Sequence, residues 1–137
     1  MKNIPTIRSN FNRCYYNPTD DYVSIPPIND FETTDEYYSS LFHELAHSTG
    51  HKSRLNRFSD NINTAEEELI AELTASYICA ISGISNTLDN QAAYISGWLS
   101  ELKTDKSFIV RVSAHAKRAT EYLLNYQNQQ TNQLIAV

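Results

Sequence analysis

The segment His43-Glu44-Leu45-Ala46-His47 constrains this chain more than any other, because it calls for both a helix and a second element beside that helix. In an α-helix, residues four apart lie on one face about 6 Å apart along the axis, so both imidazoles can reach one cation. Glu44 is offset around the helix and can stand beside the open position of a bound metal, where it would take a proton from water. A site of this kind needs a third protein ligand from elsewhere in the chain.

The surrounding residues predict a partly buried helix over residues 34–49, which we call the histidine helix. Thr33 and Glu36 have the spacing of a capping box, which predicts its start, and Gly50 predicts a C′ glycine at its end. The apolar neighbours of the two histidines are Leu41, Phe42, Leu45 and Ala46. This context favours a metal site over the alternative, an exposed helix that carries two histidines by chance.

The residues directly after the histidine helix do not supply the third ligand. One extended form of the motif has a further histidine six residues after the second one, but that position is Ser53. His51 comes too early for that geometry. The ligand must therefore be sought in another element.

A second predicted helix opens at the capping-box pair Thr64 and Glu67 and ends at Gly83. If Glu67 caps the helix, Glu68 is free, and it shares a face with Glu72 that continues through small residues, which let another helix approach. We therefore predict Glu68 as the third ligand and Glu72 as the acceptor that orients one histidine through its other ring nitrogen. Two alternatives stay open, Glu67 as the ligand and an acidic first turn that only complements the helix dipole.

The N-terminal third has a β pattern. Residues 14–16 and 22–25 flank a turn-rich segment at 17–21, which predicts a β-hairpin. An edge strand beside the histidine helix can hold an extended peptide by strand addition, and residues 22–25 are our candidate for that strand. The alternative is a short sheet that only covers the helices.

The rest of the chain is helical in pattern. Asp89 or Asn90 would cap a helix that carries Trp98, and Thr104 or Asp105 would open another. We predict an α+β fold with a small N-terminal sheet or hairpin, the histidine helix and a bundle of three further helices. Residues 1–126 would form this single domain, and the polar segment 127–137 would be a flexible tail.

The donor that would stabilise an oxyanion is not identified by any pattern. His51 and His115 are candidates for substrate or transition-state contacts. His51 follows the glycine at the end of the histidine helix, and His115 lies on the apolar side of its own helix. A structural role is favoured for both.

Charge argues against direct binding of nucleic acid. The chain has 11 Lys+Arg against 16 Asp+Glu, a formal net charge of -5, whereas a phosphate binder gains from a clustered basic surface. Arg54 and Arg57 form a small basic cluster with Lys52, for which we favour solvated surface over pairing with the acidic helix or contact with a substrate. Without an apolar run of ~20 residues or a signal segment, we expect a cytoplasmic protein with no membrane partner.

The chain resembles a known family, the zincin-like metallopeptidase domain of ArdC-type antirestriction proteins. The residues that carry the resemblance are Asp21 and the segments 15–18, 37–38, 41–51, 54–57, 67–73, 93–95 and 98–99. The resemblance implies a gluzincin-like arrangement, in which His43, His47 and Glu68 bind Zn²⁺ and Glu44 is the catalytic base. In that family a single-stranded-DNA-binding domain commonly precedes this one; the chain has no room for it, so DNA binding is not expected.

The function we predict is zinc-dependent hydrolysis of a protein or peptide substrate, linked through the resemblance to antirestriction or to defence by mobile elements. The alternative is a non-catalytic, metal-stabilised module that antagonises a host restriction or defence protein, or that assists a single-stranded-DNA-binding partner. Glu44 favours the enzyme, because a purely structural zinc site needs no adjacent base. A His/His/Glu set also accepts other divalent ions. The sequence leaves the substrate and the oligomeric state open.

Overall fold

Three strands and four α-helices form the part of the chain that the computed structural model describes, which is residues 3–9, 12–85 and 91–125, with the backbone alone for 91–96. The elements are β1 (Thr6–Arg8), β2 (Tyr15–Asn17), β3 (Tyr22–Ser24), α1 (Thr34–Ser48), α2 (Thr64–Ser82), α3 (Gln91–Thr104) and α4 (Phe108–Leu124), with 3₁₀ turns at Ile28–Asp30 and Arg57–Ser59. The predicted α+β class is confirmed, and α1 is the histidine helix. The predicted tail at 127–137 and the predicted caps at 89–90 lie outside the described residues.

The sheet has the strand order β1-β3-β2. β2 and β3 form the predicted antiparallel hairpin, and in its turn the Asn17 side chain accepts hydrogen bonds from the backbone N–H groups of Thr19 and Asp20. β1 pairs in parallel with β3 and is absent from the prediction, because it has only three residues and parallel pairing is not local. β3 is therefore central, and the prediction that residues 22–25 form an edge strand is wrong.

α1 begins where its capping box predicts. The Thr33 hydroxyl accepts a hydrogen bond from the Glu36 backbone N–H at 3.1 Å. The helix ends at Ser48 with Thr49 as its C-cap, so Gly50 lies at the predicted C′ position, but its φ is not positive as it is in a left-handed C′ glycine. A Cβ at Gly50 would come within 2.5 Å of the Phe58 ring. Close packing, rather than backbone conformation, therefore requires glycine there.

The N-cap of α2 lies one residue before the predicted one. The Asn63 side chain accepts a hydrogen bond from the Glu66 backbone N–H at 2.9 Å. The predicted box of Thr64 and Glu67 is wrong by one residue, because asparagine is at least as good a cap as threonine. Glu67 is therefore not used as a cap. The helix ends as predicted at Gly83, which is left-handed with a φ of 71°.

The main core lies between the sheet and helices α1, α2 and α4. Its buried residues are Val23, Ile25, Leu41, Phe42, Leu45, Ala75, Ile78, Cys79 and Leu123. Small side chains on α2, such as Ala71 and Ala75, are buried against its neighbours and let helices approach closely. Because α1 and α2 pack side by side, the histidine face of α1 meets the glutamate face of α2.

The C-terminal helices pack on α2 through a second cluster. Its members are Leu69, Ile70, Phe108 and Val112, with Trp98 and Leu102 packed against them. α4 begins at Phe108, later than the predicted start at Thr104 or Asp105, because the Asp105 carboxylate binds the N–H and hydroxyl of Ser107 in the turn before the helix. No helix in the described residues combines the length and the hydropathy needed to cross a bilayer.

Candidate metal centre

Three side chains from the two facing helices meet at one point. The Nε2 atoms of His43 and His47 on α1 lie 3.2 Å apart. Glu68 on α2 reaches both of them, with Oε2 at 3.4 Å from His43 Nε2 and Oε1 at 3.2 Å from His47 Nε2. Within the described residues this is the one group of three or more histidine, cysteine or acidic side chains that could hold a metal ion.

The placement of the three ligand residues fits a divalent metal ion. In a tetrahedral site with metal–ligand distances of about 2.1 Å, neighbouring ligand atoms lie about 3.4 Å apart. The two Nε2 atoms, at 3.2 Å, are close to that edge length, and each lies 3.2–3.4 Å from a different oxygen of the Glu68 carboxylate. Three protein ligands are also the number typical of catalytic zinc sites, whereas structural sites have four.

The second ring nitrogen of each histidine faces a further glutamate. His47 Nδ1 lies 3.0 Å from Glu67 Oε1. His43 Nδ1 lies 2.8 Å from Glu72 Oε1, an ion-pair contact that does not meet the geometry of a hydrogen bond. A carboxylate in this position favours the tautomer in which Nδ1 carries the proton and Nε2 can bind a metal. Glu72 thus lies where the sequence predicts an orienting acceptor, and Glu67 lies at the other histidine.

Arg57 holds Glu67 in place and is itself buried, with 2% of its surface exposed. Its Nε donates to Glu67 Oε2 at 2.8 Å and its Nη2 donates to Glu67 Oε1 at 2.7 Å. The solvated patch that we favour for Arg54 and Arg57 is wrong, because the Arg54 side chain is 1% exposed and also pairs with a carboxylate. From the sequence, pairing of these arginines with the acidic helix is only an alternative, because no local pattern connects Arg57 to Glu67.

The carboxylates give the centre a negative field. Burial disfavours the charged form of His43, but Glu68 and Glu72 outweigh it and raise the pKa of His43 to about 10. Burial likewise opposes the charging of His47, whose pKa is raised to about 9 by Glu67 and Glu68. The two histidines hold the pKa of Glu68 well below its usual range. Such a field stabilises positive charge at this point, whether protons on the imidazoles or a divalent cation that displaces them.

Glu44 lines a cleft of about 450 Å³ next to the three ligand residues. One wall of the cleft is β2 with the residues around it, and the other includes Phe58 and Glu67. Glu44 is 9% exposed, and burial raises the pKa of its carboxyl while the two histidines oppose the increase. The backbone N–H of Tyr16 lies near enough to this carboxylate to lower its pKa. The outer edge of β2 therefore faces the cleft.

An ion pair fastens the hairpin to the end of α1. The Arg54 guanidinium donates to both oxygens of Asp21 at 2.8 Å and to the Ser48 carbonyl at 3.1 Å. The Tyr16 hydroxyl donates to Asp21 at 2.7 Å. The hydrogen bonds from Arg54 lower the pKa of Asp21 to about 2, against a smaller opposing effect of burial. This network fixes β2 relative to the helix that carries Glu44.

His51 and His115 do not line the cleft. His51 Nδ1 lies 2.7 Å from the Ser53 hydroxyl in the turn after α1. His115 Nδ1 accepts a hydrogen bond from the Arg118 guanidinium at 2.9 Å on α4. Burial and the charge of Arg118 lower the pKa of His115. The prediction that either histidine contacts a substrate beside the metal ligands therefore has no support in the geometry.

The chain is similar to a family of known fold. Residues 2–115 match the family described as zincin-like metallopeptidase. The crystal structure of the antirestriction protein ArdC from plasmid R388 in its Mn(II)-bound form is 43% identical, with a TM-score of 0.81 over 88% of this chain and 47% of ArdC. The metal-free form has a TM-score of 0.78 at 43% identity, over 87% of this chain and 44% of ArdC. The predicted resemblance to ArdC-type zincin-like domains is confirmed.

Two further relatives are much longer than the matched region. DNA primase TraC of Escherichia coli is 32% identical over 126 residues, which are 88% of this chain and 9% of TraC. The protein y4eC of Sinorhizobium fredii is 32% identical over 122 residues, which are 85% of this chain and 40% of y4eC. The chain thus spans less than half the length of each of these proteins. By its sequence match and its fold, it belongs to the zincin-like metallopeptidase family.

Proposed function

We propose that the chain is a metallopeptidase that hydrolyses peptide bonds, with zinc held by His43, His47 and Glu68. The observation that carries the proposal is the convergence of two imidazoles and one carboxylate beside Glu44 at a cleft. Similarity to a Mn(II)-bound ArdC structure supports a divalent ion. Zinc accepts two imidazoles and one carboxylate, although other first-row ions can take the same donors.

The protein side chains have distinct roles in the proposed reaction. When bound, the ion supplies a Lewis acid that acidifies water and polarises a carbonyl group. Glu44 takes the proton from the attacking water and delivers it to the leaving nitrogen. The nearby Tyr16 backbone N–H favours the charged form of Glu44, which a general base requires. Glu67 and Glu72 orient the imidazoles of His47 and His43.

We assign β2 as the strand that supports an extended substrate. It is an edge strand, and Tyr15 and Tyr16 line the cleft together with Cys14. An extended peptide can add to such an edge as a further strand. This assignment replaces β3, which is paired on both sides.

The test combines metal content with cleavage of a peptide library. The native chain should hold about one zinc ion and cleave peptides. Glu44→Gln should hold the same amount of zinc and lose at least about 10²-fold in rate, whereas His47→Ala should lose the metal. Glu121→Gln, on α4 and outside the cleft, is the control and should match the native chain. Absence of stoichiometric metal, or undiminished cleavage by Glu44→Gln, would refute the proposal.

A second candidate function is antirestriction by contact, without proteolysis. It is favoured by the similarity to ArdC, an antirestriction protein with 43% identity. The metal would then stabilise the domain, and a surface would bind a protein or DNA partner in the cytoplasm. An assay of restriction in cells that express the chain separates the two candidates, because Glu44→Gln keeps full protection only if hydrolysis is not needed.

A further inference from the structure

Arg57 is an arginine in a place where arginine is rarely found, since only 2% of its surface is exposed. Two of its hydrogen bonds go to the Glu67 carboxylate. Its Nη1 donates to the Thr49 hydroxyl at 2.9 Å and its Nη2 to the Ala46 carbonyl at 3.2 Å. The guanidinium therefore joins the end of α1 to the first turn of α2, directly behind the metal centre.

The geometry lets Arg57 fix the position of Glu67, the residue before Glu68. Arg57 can only donate, and it engages both oxygens of Glu67, one of which also meets His47 Nδ1 at 3.0 Å. Ionised Glu67 can only accept from His47, so Nδ1 carries a proton and Nε2 is the nitrogen that faces Glu68 and a metal ion. Glu67 is also unable to turn toward the ligand atoms.

We propose that Arg57 is a positioning residue for the metal centre. Through Glu67 it sets the orientation and tautomer of His47, and it leaves Glu68 as the glutamate that binds the ion. The inference rests on the proposed metal site but not on peptide hydrolysis. It extends the site to a residue that touches neither the ion nor a substrate.

The sign of the effect on metal affinity distinguishes positioning from simple electrostatics. Arg57 carries a positive charge near a site for a divalent cation, so its removal should tighten metal binding if charge alone matters. If Arg57 acts by holding Glu67 and His47, its removal should weaken binding. Loss of an outer hydrogen-bond partner of a ligating histidine typically weakens metal affinity 10–100-fold, so we expect about tenfold or more for Arg57→Met.

Arg54 provides a matched control. Its side chain is 1% exposed and pairs with both oxygens of Asp21 at 2.8 Å, so it resembles Arg57 in burial and geometry. The hydrogen bonds of Asp21 in the hairpin network go to Tyr16 and Arg54, and to none of the three ligand residues. Arg54→Met should therefore destabilise the fold, yet leave the zinc dissociation constant within about twofold of native.

The experiment measures the zinc dissociation constant of the full chain by competition with a chromophoric chelator, with thermal unfolding recorded for each variant. Weaker binding by Arg57→Met, but not by Arg54→Met, supports the inference. Equal or tighter binding by Arg57→Met, or an equal loss in Arg54→Met, overturns it. A native chain that binds no zinc overturns the proposed metal site as well, so the two failures are distinguishable.

A double variant tests whether Arg57 acts through Glu67. Glu67→Ala should weaken zinc binding about 10–100-fold, and adding Arg57→Met to it should cause no further loss. Losses that multiply in the double variant would overturn the inference. In ¹H–¹⁵N spectra of the zinc-loaded chain, the His47 ring should show a proton on Nδ1 in the native protein and a disturbed signal in Arg57→Met. An unchanged His47 signal in that variant would also overturn it.

Discussion

Substitution of Gly50 by alanine separates close packing from backbone conformation as the reason for glycine after α1. A Cβ at this position would meet three atoms of the Phe58 ring at 2.5, 2.8 and 2.8 Å. Phe58 is 42% exposed, so its ring can move toward the cleft and the overpacking should cost about 1–2 kcal/mol, the lower part of the usual range. Because Gly50 is not left-handed, alanine also gains about 0.4–1 kcal/mol by restricting the unfolded chain.

These two effects act in opposite directions and can be measured apart by urea unfolding of four proteins. In the native background Gly50→Ala should destabilise the fold by up to about 1.5 kcal/mol. In a Phe58→Ala background the clash is gone, and the same change should stabilise it by about 0.4–1 kcal/mol. The coupling energy is then about 1–2 kcal/mol. Equal destabilisation in both backgrounds would refute the packing argument and restore a conformational role for this glycine.

Three other predictions concern the ion pair, the caps and the metal. The pKa of Asp21, about 2, lies below the ordinary value of about 3.9, so its pairing with Arg54 stabilises the fold above about pH 4 and is lost as the pH falls through about 2. The Asp21 side chain is 32% exposed, so we expect Asp21→Asn to lower the free energy of unfolding by about 1 kcal/mol near neutral pH and by less near pH 2. A pH-independent difference in urea unfolding would contradict this. Asn63→Ala should cost about 1 kcal/mol in the same assay and Thr64→Ala almost nothing, and the reverse order would reinstate the predicted cap. Zinc at about 100 times its dissociation constant should stabilise the native chain by about 2.7 kcal/mol in thermal unfolding, and a similar gain in His47→Ala would place the ion elsewhere.

Local signals in the sequence were sufficient to predict those parts of the fold that depend on residues close together in the chain. The start of α1 follows from Thr33 and Glu36, three positions apart, and the end of α2 follows from a glycine that can adopt a positive φ at Gly83. The hairpin follows from a turn-rich segment between two short β patterns. Each of these features is decided within about one turn of helix or one hairpin, so a single sequence reveals it.

Features that depend on tertiary contacts were missed or misplaced. β1 joins the sheet by pairing with a strand sixteen residues away, Thr6 with Tyr22, which makes β3 central and moves the free edge to β2. Arg57 and Glu67 lie ten residues apart on different elements, so no periodicity connects them. Gly50 shows the same limit, because the contact that requires glycine comes from Phe58 and not from its own turn.

In the first turn of α2, three successive glutamates bind three different partners. Successive helical residues point about 100° apart, so Glu66, Glu67 and Glu68 face different neighbours. Glu66 binds Arg111 of α4 at 2.8 Å, Glu67 binds Arg57, and Glu68 reaches both histidines. All three lie near the positive end of the helix dipole, which lowers the cost of their charge. An acidic first turn and a metal centre are therefore compatible interpretations, and the packing of the buried face of α2 fixes the rotation that gives each glutamate its neighbour.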